Sequence, residues 1–117
     1  MVNITSVERT NFYSTPGPVY APPGMSFIFA VVTRVNKGSS PTPVQATDFS
    51  IVDSSGYLFV PQQLANSFYG AFPFTARTLN AGDTVSGKIL FVVPEASSAL
   101  EIRTIFDGHT VGWSLPY

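Results

Sequence analysis

Hydrophobic and polar residues alternate most regularly between Thr84 and Val93. Every second position from Val85 to Val93 is apolar or glycine, and the intervening positions begin with Ser86 and Lys88. Successive side chains of a β-strand point to opposite faces, so this pattern predicts a half-buried strand. Turn residues precede it in Asn80-Ala81-Gly82-Asp83, and Pro94, which has no amide hydrogen, ends it. The segment therefore indicates an all-β domain, without naming any chemistry.

Similar strands are predicted along the rest of the chain. Turn residues separate them, and Asp53-Ser54-Ser55-Gly56 and Asp107-Gly108 predict two hairpins. The proline-rich stretch 14–24 predicts an extended connector, and the segment 61–78 has no clear period. We therefore predict a single antiparallel β-sandwich of seven or eight strands over residues 1–117. The other predicted strands are Ile4–Tyr13, Phe27–Val35, Val44–Val52, Tyr57–Val60, Leu100–Phe106 and Thr110–Leu115.

The alternation also predicts which side chains fill the space between the two sheets. These are the apolar residues that share one face of each long strand. The predicted core consists of Ile28, Ala30, Val32, Phe49, Ile51, Val85, Ile89, Phe91, Leu100 and Ile102.

Composition excludes several functional classes. Six basic and seven acidic residues leave a net charge of −1, which provides no positive field for nucleic acid. Without cysteine there can be no disulfide, thiolate nucleophile or thiolate metal site. No apolar run approaches the ~20 residues of a membrane span, so membrane attachment would need a segment outside this sequence.

No group of residues predicts catalysis, a metal site or a cofactor. His109, the single histidine, follows the predicted hairpin Asp107-Gly108 and is expected to be an exposed turn residue. A histidine metal site needs several converging ligands, and no serine lies in a nucleophile-elbow motif. Asp53 and Asp83 lie in predicted turns, where aspartate accepts hydrogen bonds from nearby backbone. We therefore predict a protein that is not an enzyme and that needs no cofactor.

Two apolar regions are candidates for contact with a partner. The first is the aromatic cluster Phe68, Tyr69, Phe72 and Phe74, which predicts either a plug at one end of the sandwich or a binding loop. The second is the set Phe27, Phe29 and Val31, which alternates with the core residues of its strand and so faces away from the core.

The outward set on the second strand has two interpretations. Either the proline-rich connector or the segment 61–78 covers it, or it forms an intermolecular contact, such as a symmetric dimer. The sequence pattern leaves both open.

Several motifs in a fixed order resemble a known family. Tyr20-Ala21-Pro22-Pro23-Gly24 precedes an apolar strand that ends at Asn36, Leu79-Asn80-Ala81-Gly82 precedes Gly87, and Phe91-Val92-Val93-Pro94 follows. This order resembles a widespread uncharacterised immunoglobulin-like domain of secreted proteins and lipoproteins of bacteria and archaea. That domain is similar in fold to the secreted mycobacterial immunoprotective antigens.

The resemblance spans residues 20–106 and implies an immunoglobulin-like sandwich in an extracytoplasmic setting. It implies no catalytic residues. Arg34 occupies a position where the family usually has an apolar residue, so we expect an altered register or a β-bulge there.

These observations predict a non-catalytic, extracytoplasmic module that binds a protein partner or takes part in an assembly, either displayed at the cell surface or within a surface-layer or filament-associated assembly. Such a partner would be a cell-surface, surface-layer or filament component. Two alternatives stay open at this point. One is a proteinase-inhibitor-like sandwich that presents the loop Ala65–Arg77, and the other is a carbohydrate-binding module that uses Tyr69 and Trp113.

Overall fold

The chain folds into β-strands joined by turns. The structure is a computed structural model, and it describes residues 1–14, 18–62, 73–106 and 109–117. Besides one turn of 3₁₀ helix at Ala46–Asp48, the regular secondary structure of the described residues consists of strands. The strands are β1 Val2–Thr10, β2 Phe12–Ser14, β3 Pro18–Tyr20, β4 Met25–Val35, β5 Thr42–Val44, β6 Phe49–Val52, β7 Leu58–Phe59, β8 Arg77–Leu79, β9 Thr84–Pro94, β10 Glu101–Phe106 and β11 His109–Ser114.

Two antiparallel sheets form the body of the fold. The three-stranded sheet has the order β1-β4-β9, and the four-stranded sheet has the order β11-β10-β6-β7. β4 and β9 pair without interruption from Met25 opposite Pro94 to Val35 opposite Thr84. Two short pairs, β2–β3 and β5–β8, complete the described strands. The prediction of an all-β, antiparallel sandwich is confirmed.

The described residues contain eleven strands, more than the seven or eight predicted. The short strands of the pairs β2–β3 and β5–β8 account for much of the difference. The predicted strand Val44–Val52 is also interrupted. Within it, Asp48 closes the 3₁₀ turn, because its Oδ2 accepts a hydrogen bond from the backbone N of Gln45 at 2.9 Å. The chain therefore bends between β5 and β6 instead of continuing as one strand.

The core lies between the two sheets, as the alternation predicts. All ten predicted core residues belong to one buried cluster, and none exposes more than 8% of its surface. Leu79 and Val93 are also fully buried in that cluster. The period of two along β4, β9 and β10 was therefore a sufficient guide to the main core.

The irregularity expected at Arg34 lies elsewhere. β4 keeps its register through Arg34, and the Arg34 side chain lies 3.8 Å from the carboxylate of Asp48. The bulge is in β1, where the register with β4 shifts between Ile4 and Ser6. The extra residue lets both Ile4 and Val7 pack against the core although they are three positions apart.

Asn36 explains why two of the family-like motifs occur together. Its buried side chain donates to the backbone O of Ser40 and of Leu79, both at 2.8 Å, and accepts from the backbone N of Gly38 at 2.9 Å. The backbone O of Asn36 also accepts from Gly82 N at 2.7 Å. One asparagine thus ties the end of β4 to the turn that starts β9.

Candidate protein-binding surface

The outer face of the four-stranded sheet presents a mixed apolar and polar surface. Ile51 and Ile102 pair across β6 and β10 and point into the core, so their neighbours in each strand point outward. Val52 faces outward between Glu101 on β10 and Leu58 on β7. The short strand β7 therefore extends this outer face at its edge.

Three apolar side chains on this face are largely exposed. Leu58 exposes 61% of its surface, Val60 55% and Ile105 68%. Together with the buried Val52 they line a shallow depression of about 400 Å³, in which Ser50 and Arg103, paired across β6 and β10, lie between Ile105 and the other three apolar residues. We call the surface formed by Val52, Leu58, Val60 and Ile105 the open face.

An ion pair lies among the apolar residues of the open face. Arg103 Nε donates to Glu101 Oε1 at 2.7 Å, and both side chains are partly exposed. Gly112 of β11 lies beside Glu101, and a Cβ atom at that position would collide with the Glu101 carboxylate. The absence of a side chain at Gly112 thus allows the carboxylate to lie over the neighbouring edge strand.

Other segments of the chain cover the outward residues Phe27 and Phe29 of β4. Phe27 and Phe29 each expose only 5% of their surface and form a second buried cluster with Leu90. Val19 and Ala21, which lie in or beside β3, pack against this cluster. Within the single chain, this face is therefore covered, as the first of the two interpretations predicted. The proline-rich connector supplies part of the cover.

Other groups also occupy this face of β4. The Nζ of Lys88 lies 5.7 Å from the centre of the Phe29 ring. Val31 is half-buried, so it is the one residue of the predicted contact set on β4 that keeps a substantial exposed surface.

Phe74 lies in the main core. Its ring meets that of Phe49 edge to face, with centroids 5.7 Å apart. The backbone of Phe74 crosses β9 at Gly87, where a Cβ atom would lie 2.5 Å from Phe74 N, and Phe74 N donates to Lys88 O at 2.9 Å. Gly87 thus provides the space in which Phe74 enters the sandwich. The other three aromatic residues of the predicted cluster, Phe68, Tyr69 and Phe72, lie outside the described residues.

The residues considered for catalysis or metal binding lie in turns or at the start of a strand. Asp53 Oδ1 accepts from the backbone N of Ser55 and of Tyr57, as the turn interpretation predicted. His109 is exposed at the start of β11. Over residues 1–14, 18–62, 73–106 and 109–117, no three potential metal ligands of the His, Cys, Asp and Glu types come together.

The two alternative functions depend on residues that the structure places only in part. Trp113 is half-buried and packs against the main core, so part of its side chain is occupied by the fold. Of the loop Ala65–Arg77, the structure describes only residues 73–77.

The open face was missed by the sequence patterns, although a signal for it exists. The alternation in β10 already assigns Ile105 to the outward set together with Glu101 and Arg103. An apolar residue within a polar outward set, together with the apolar run Tyr57–Val60, is the feature that could have indicated the surface.

These features define an antiparallel β-sandwich that exposes apolar side chains on the mixed outer face of its four-stranded sheet. The chain belongs to the family described as "Domain of unknown function (DUF4352)", which matches residues 2–111. No curated protein matches the chain. Among the residues that the structure describes, no helix is long and apolar enough to cross a membrane.

Solved structures share this fold at low sequence identity. A Bacillus subtilis protein described as a candidate lipoprotein superposes with a TM-score of 0.73 at 18% identity, over 97% of this chain and 35% of its own. An uncharacterised β-sandwich protein of Clostridium difficile gives 0.59 at 12% identity, over 97% and 83%. A secreted protein of Mycobacterium tuberculosis, MPT63, gives 0.50 at 16% identity, over 93% and 81%. This chain thus spans about a third of the length of the Bacillus lipoprotein, and the likeness to all three concerns the fold.

Proposed function

We propose that this domain is a non-catalytic, extracytoplasmic module that binds a protein partner through the open face. The observation that carries the proposal is the exposure of Leu58, Val60 and Ile105 around Val52. Exposed apolar side chains that line one depression of a folded domain support an interaction site there.

The size of the open face indicates the kind of partner. Three partly exposed aliphatic side chains offer on the order of 300 Å² of apolar surface, whereas a stable interface between whole domains buries about 800 Å² on each side. The open face therefore suits a short apolar segment of a partner better than a second copy of the whole domain. Polar groups in the depression, among them Ser50 and Thr110, can pair with the backbone of such a segment.

The extracytoplasmic setting is supported by the proteins that share the fold. They include a secreted protein and a candidate lipoprotein. The lack of charge agrees with a role in protein contact, since only 11% of the residues are charged, against about 25% in typical domains. The non-catalytic part of the proposal is supported by the turn roles of Asp53 and Asp83, whose carboxylates accept hydrogen bonds from nearby backbone N–H groups.

Site-specific photo-crosslinking in the producing cell tests the proposal. A benzoyl-phenylalanine replaces Leu58 on the open face, and a matched control carries it in place of Glu8, an exposed residue of β1 in the other sheet. We expect a discrete crosslinked product from position 58 alone, and we expect Ile105→Asp to remove it. Protease added outside intact cells should degrade the domain.

Two outcomes would contradict the proposal. Equal crosslinking from positions 58 and 8 would show that the open face has no preference for a partner. Protection of the domain from external protease until the cells are lysed would exclude the extracytoplasmic setting.

A further inference from the structure

Two aromatic rings lie exposed on the hairpin formed by β2 and β3. Phe12 and Tyr20 are paired across the two strands, and they expose 47% and 67% of their surface. Their ring centroids are 5.9 Å apart, and the ring planes are tilted by 40°. The two rings therefore contact each other and form one continuous aromatic surface. We call the surface formed by Phe12 and Tyr20 the aromatic platform.

The backbone beneath the aromatic platform is held on both strands. Val19 and Ala21, on either side of Tyr20, pack against the second buried cluster. Because side chains alternate along a strand, Tyr20 and its partner Phe12 point away from that cluster. The backbone O of Asn11 also accepts from the N of Ala21 at 2.8 Å. A ligand thus meets two rings on a fixed backbone, which reduces the entropy lost on binding.

The aromatic platform is separate from the open face. The hairpin packs on Phe27 and Phe29, which belong to the outer side of the three-stranded sheet, whereas the open face belongs to the four-stranded sheet. It is also separate from Trp113, which packs against the main core. A ligand on the aromatic platform would therefore leave the open face accessible, and the inference goes beyond the proposed function.

The charges around the aromatic platform favour an uncharged ligand. Residues 10–33, which include the whole hairpin, contain no acidic residue, no basic residue and no histidine. In the sheet below, Glu8 pairs with Phe29, and the Nζ of Lys88 lies 5.7 Å from the centre of that ring, so these two charges have opposite signs. Nucleic acids and anionic bilayers are bound by clusters of lysine and arginine, which this hairpin lacks.

The area and shape of the aromatic platform limit the occupant further. An aromatic side chain has about 150–250 Å² of surface, so these exposed fractions offer roughly 200–250 Å² together. A stable contact with a second copy would need about 800 Å² on each side. Proline-rich peptides bind in grooves between aromatic side chains, whereas these two rings touch and leave no groove between them. The surface therefore suits a small, flat ligand that lies across the ring faces.

We propose that the aromatic platform binds a neutral oligosaccharide of equatorially linked hexoses. In such sugars the hydroxyl groups lie around the rim of each ring, and both faces present C–H groups. The face of an aromatic ring carries a negative potential that attracts these C–H groups. Two rings side by side hold two successive sugars, and the Tyr20 hydroxyl and the exposed Asn11 supply hydrogen-bonding groups for the sugar hydroxyls.

An NMR titration with two soluble sugars tests the proposal. The probes are cellohexaose and chitohexaose, which share the equatorial linkage and carry no charge. We expect either sugar at millimolar concentration to shift the ring proton signals of Phe12 and Tyr20. Nuclear Overhauser effects should join these rings to C–H protons of the sugar.

Three variants locate the site and separate the ring from the hydroxyl. Tyr20→Ala should weaken the binding of both sugars about fivefold, because it removes the more exposed ring. Tyr20→Phe keeps the ring and should stay within about twofold of the wild type. Tyr57→Ala removes an aromatic ring of similar exposure, 69%, outside the hairpin and should leave binding unchanged. Each variant is compared after its amide spectrum away from the hairpin matches that of the wild type.

Each remaining result overturns the proposal. Ring signals that stay unchanged with both sugars at millimolar concentration would refute it, as would equal weakening by Tyr20→Ala and Tyr57→Ala. Ring signals that move with protein concentration alone would identify a second copy as the occupant. A response to phosphatidylcholine vesicles without a response to either sugar would identify a bilayer. None of these results concerns crosslinking from Leu58, so the proposed function is tested separately.

Discussion

Replacing Phe29 by alanine should cost far more stability than replacing Leu58 by alanine, although both side chains point away from the main core. Phe29 exposes 5% of its surface, and its ring lies 6.1 Å from that of Phe27 and 5.7 Å from the Nζ of Lys88. Truncation of a fully buried phenylalanine costs about 3–5 kcal/mol. Leu58 is 61% exposed, so only about 40% of the 1.5–3 kcal/mol of complete leucine burial is lost, or roughly 1 kcal/mol.

Urea unfolding followed by the fluorescence of Trp113, the single tryptophan, measures both changes. The linear extrapolation compares the free energy of unfolding of each variant with that of the wild type. A loss below about 1 kcal/mol for Phe29→Ala, together with a wild-type dimer that this variant abolishes, would refute the reasoning. That result would mean that Phe29 contacts another molecule and that its cover within the chain contributes little.

Two further substitutions test how individual residues hold the fold. Gly87→Ala should destabilise by about 1–3 kcal/mol because the added methyl group meets the backbone of Phe74, whereas Gly38→Ala, where the nearest atom is 3.4 Å away, should stay within about 0.5 kcal/mol in the same urea assay. Equal effects at the two glycines would contradict this role of Gly87. Tyr117→Phe removes the hydroxyl that occupies the edge of β1, so it should cost about 1 kcal/mol and increase self-association in sedimentation velocity. An unchanged sedimentation profile would show that this hydroxyl does not protect the edge.

The period of two predicted the main core because it is a local property of each strand. In β4 and β9 the side chains that face the core follow directly from the alternation, and no distant residue can change which face they lie on. The same locality explains the confirmed turn roles of Asp53 and Asp83, whose carboxylates accept from backbone N–H groups within four residues in sequence.

What covers the outer faces could not be predicted in this way. Phe29 and Ile105 are both apolar residues in outward positions, and nothing near either one distinguishes them. The difference arises from segments far away in sequence, since Val19 and Ala21 pack against the Phe29 cluster. Protection of the β1 edge is equally non-local, because Tyr117 is 108 residues from Arg9.

The outer face and the edges are covered in the three-stranded sheet and exposed in the four-stranded sheet. The three-stranded sheet buries Phe27, Phe29 and Leu90 under other parts of the chain, and hydrogen bonds from Tyr117, Gln62 and Phe74 occupy both of its edges. The four-stranded sheet leaves the open face and the β11 edge exposed, although a few substitutions to lysine or proline would close both. The open face and the exposed β11 edge thus belong to one sheet, while Phe12 and Tyr20, 47% and 67% exposed, form a separate aromatic pair on β2 and β3. A requirement for solubility alone would favour closing both sheets, so this difference supports the proposal that the four-stranded sheet meets a partner.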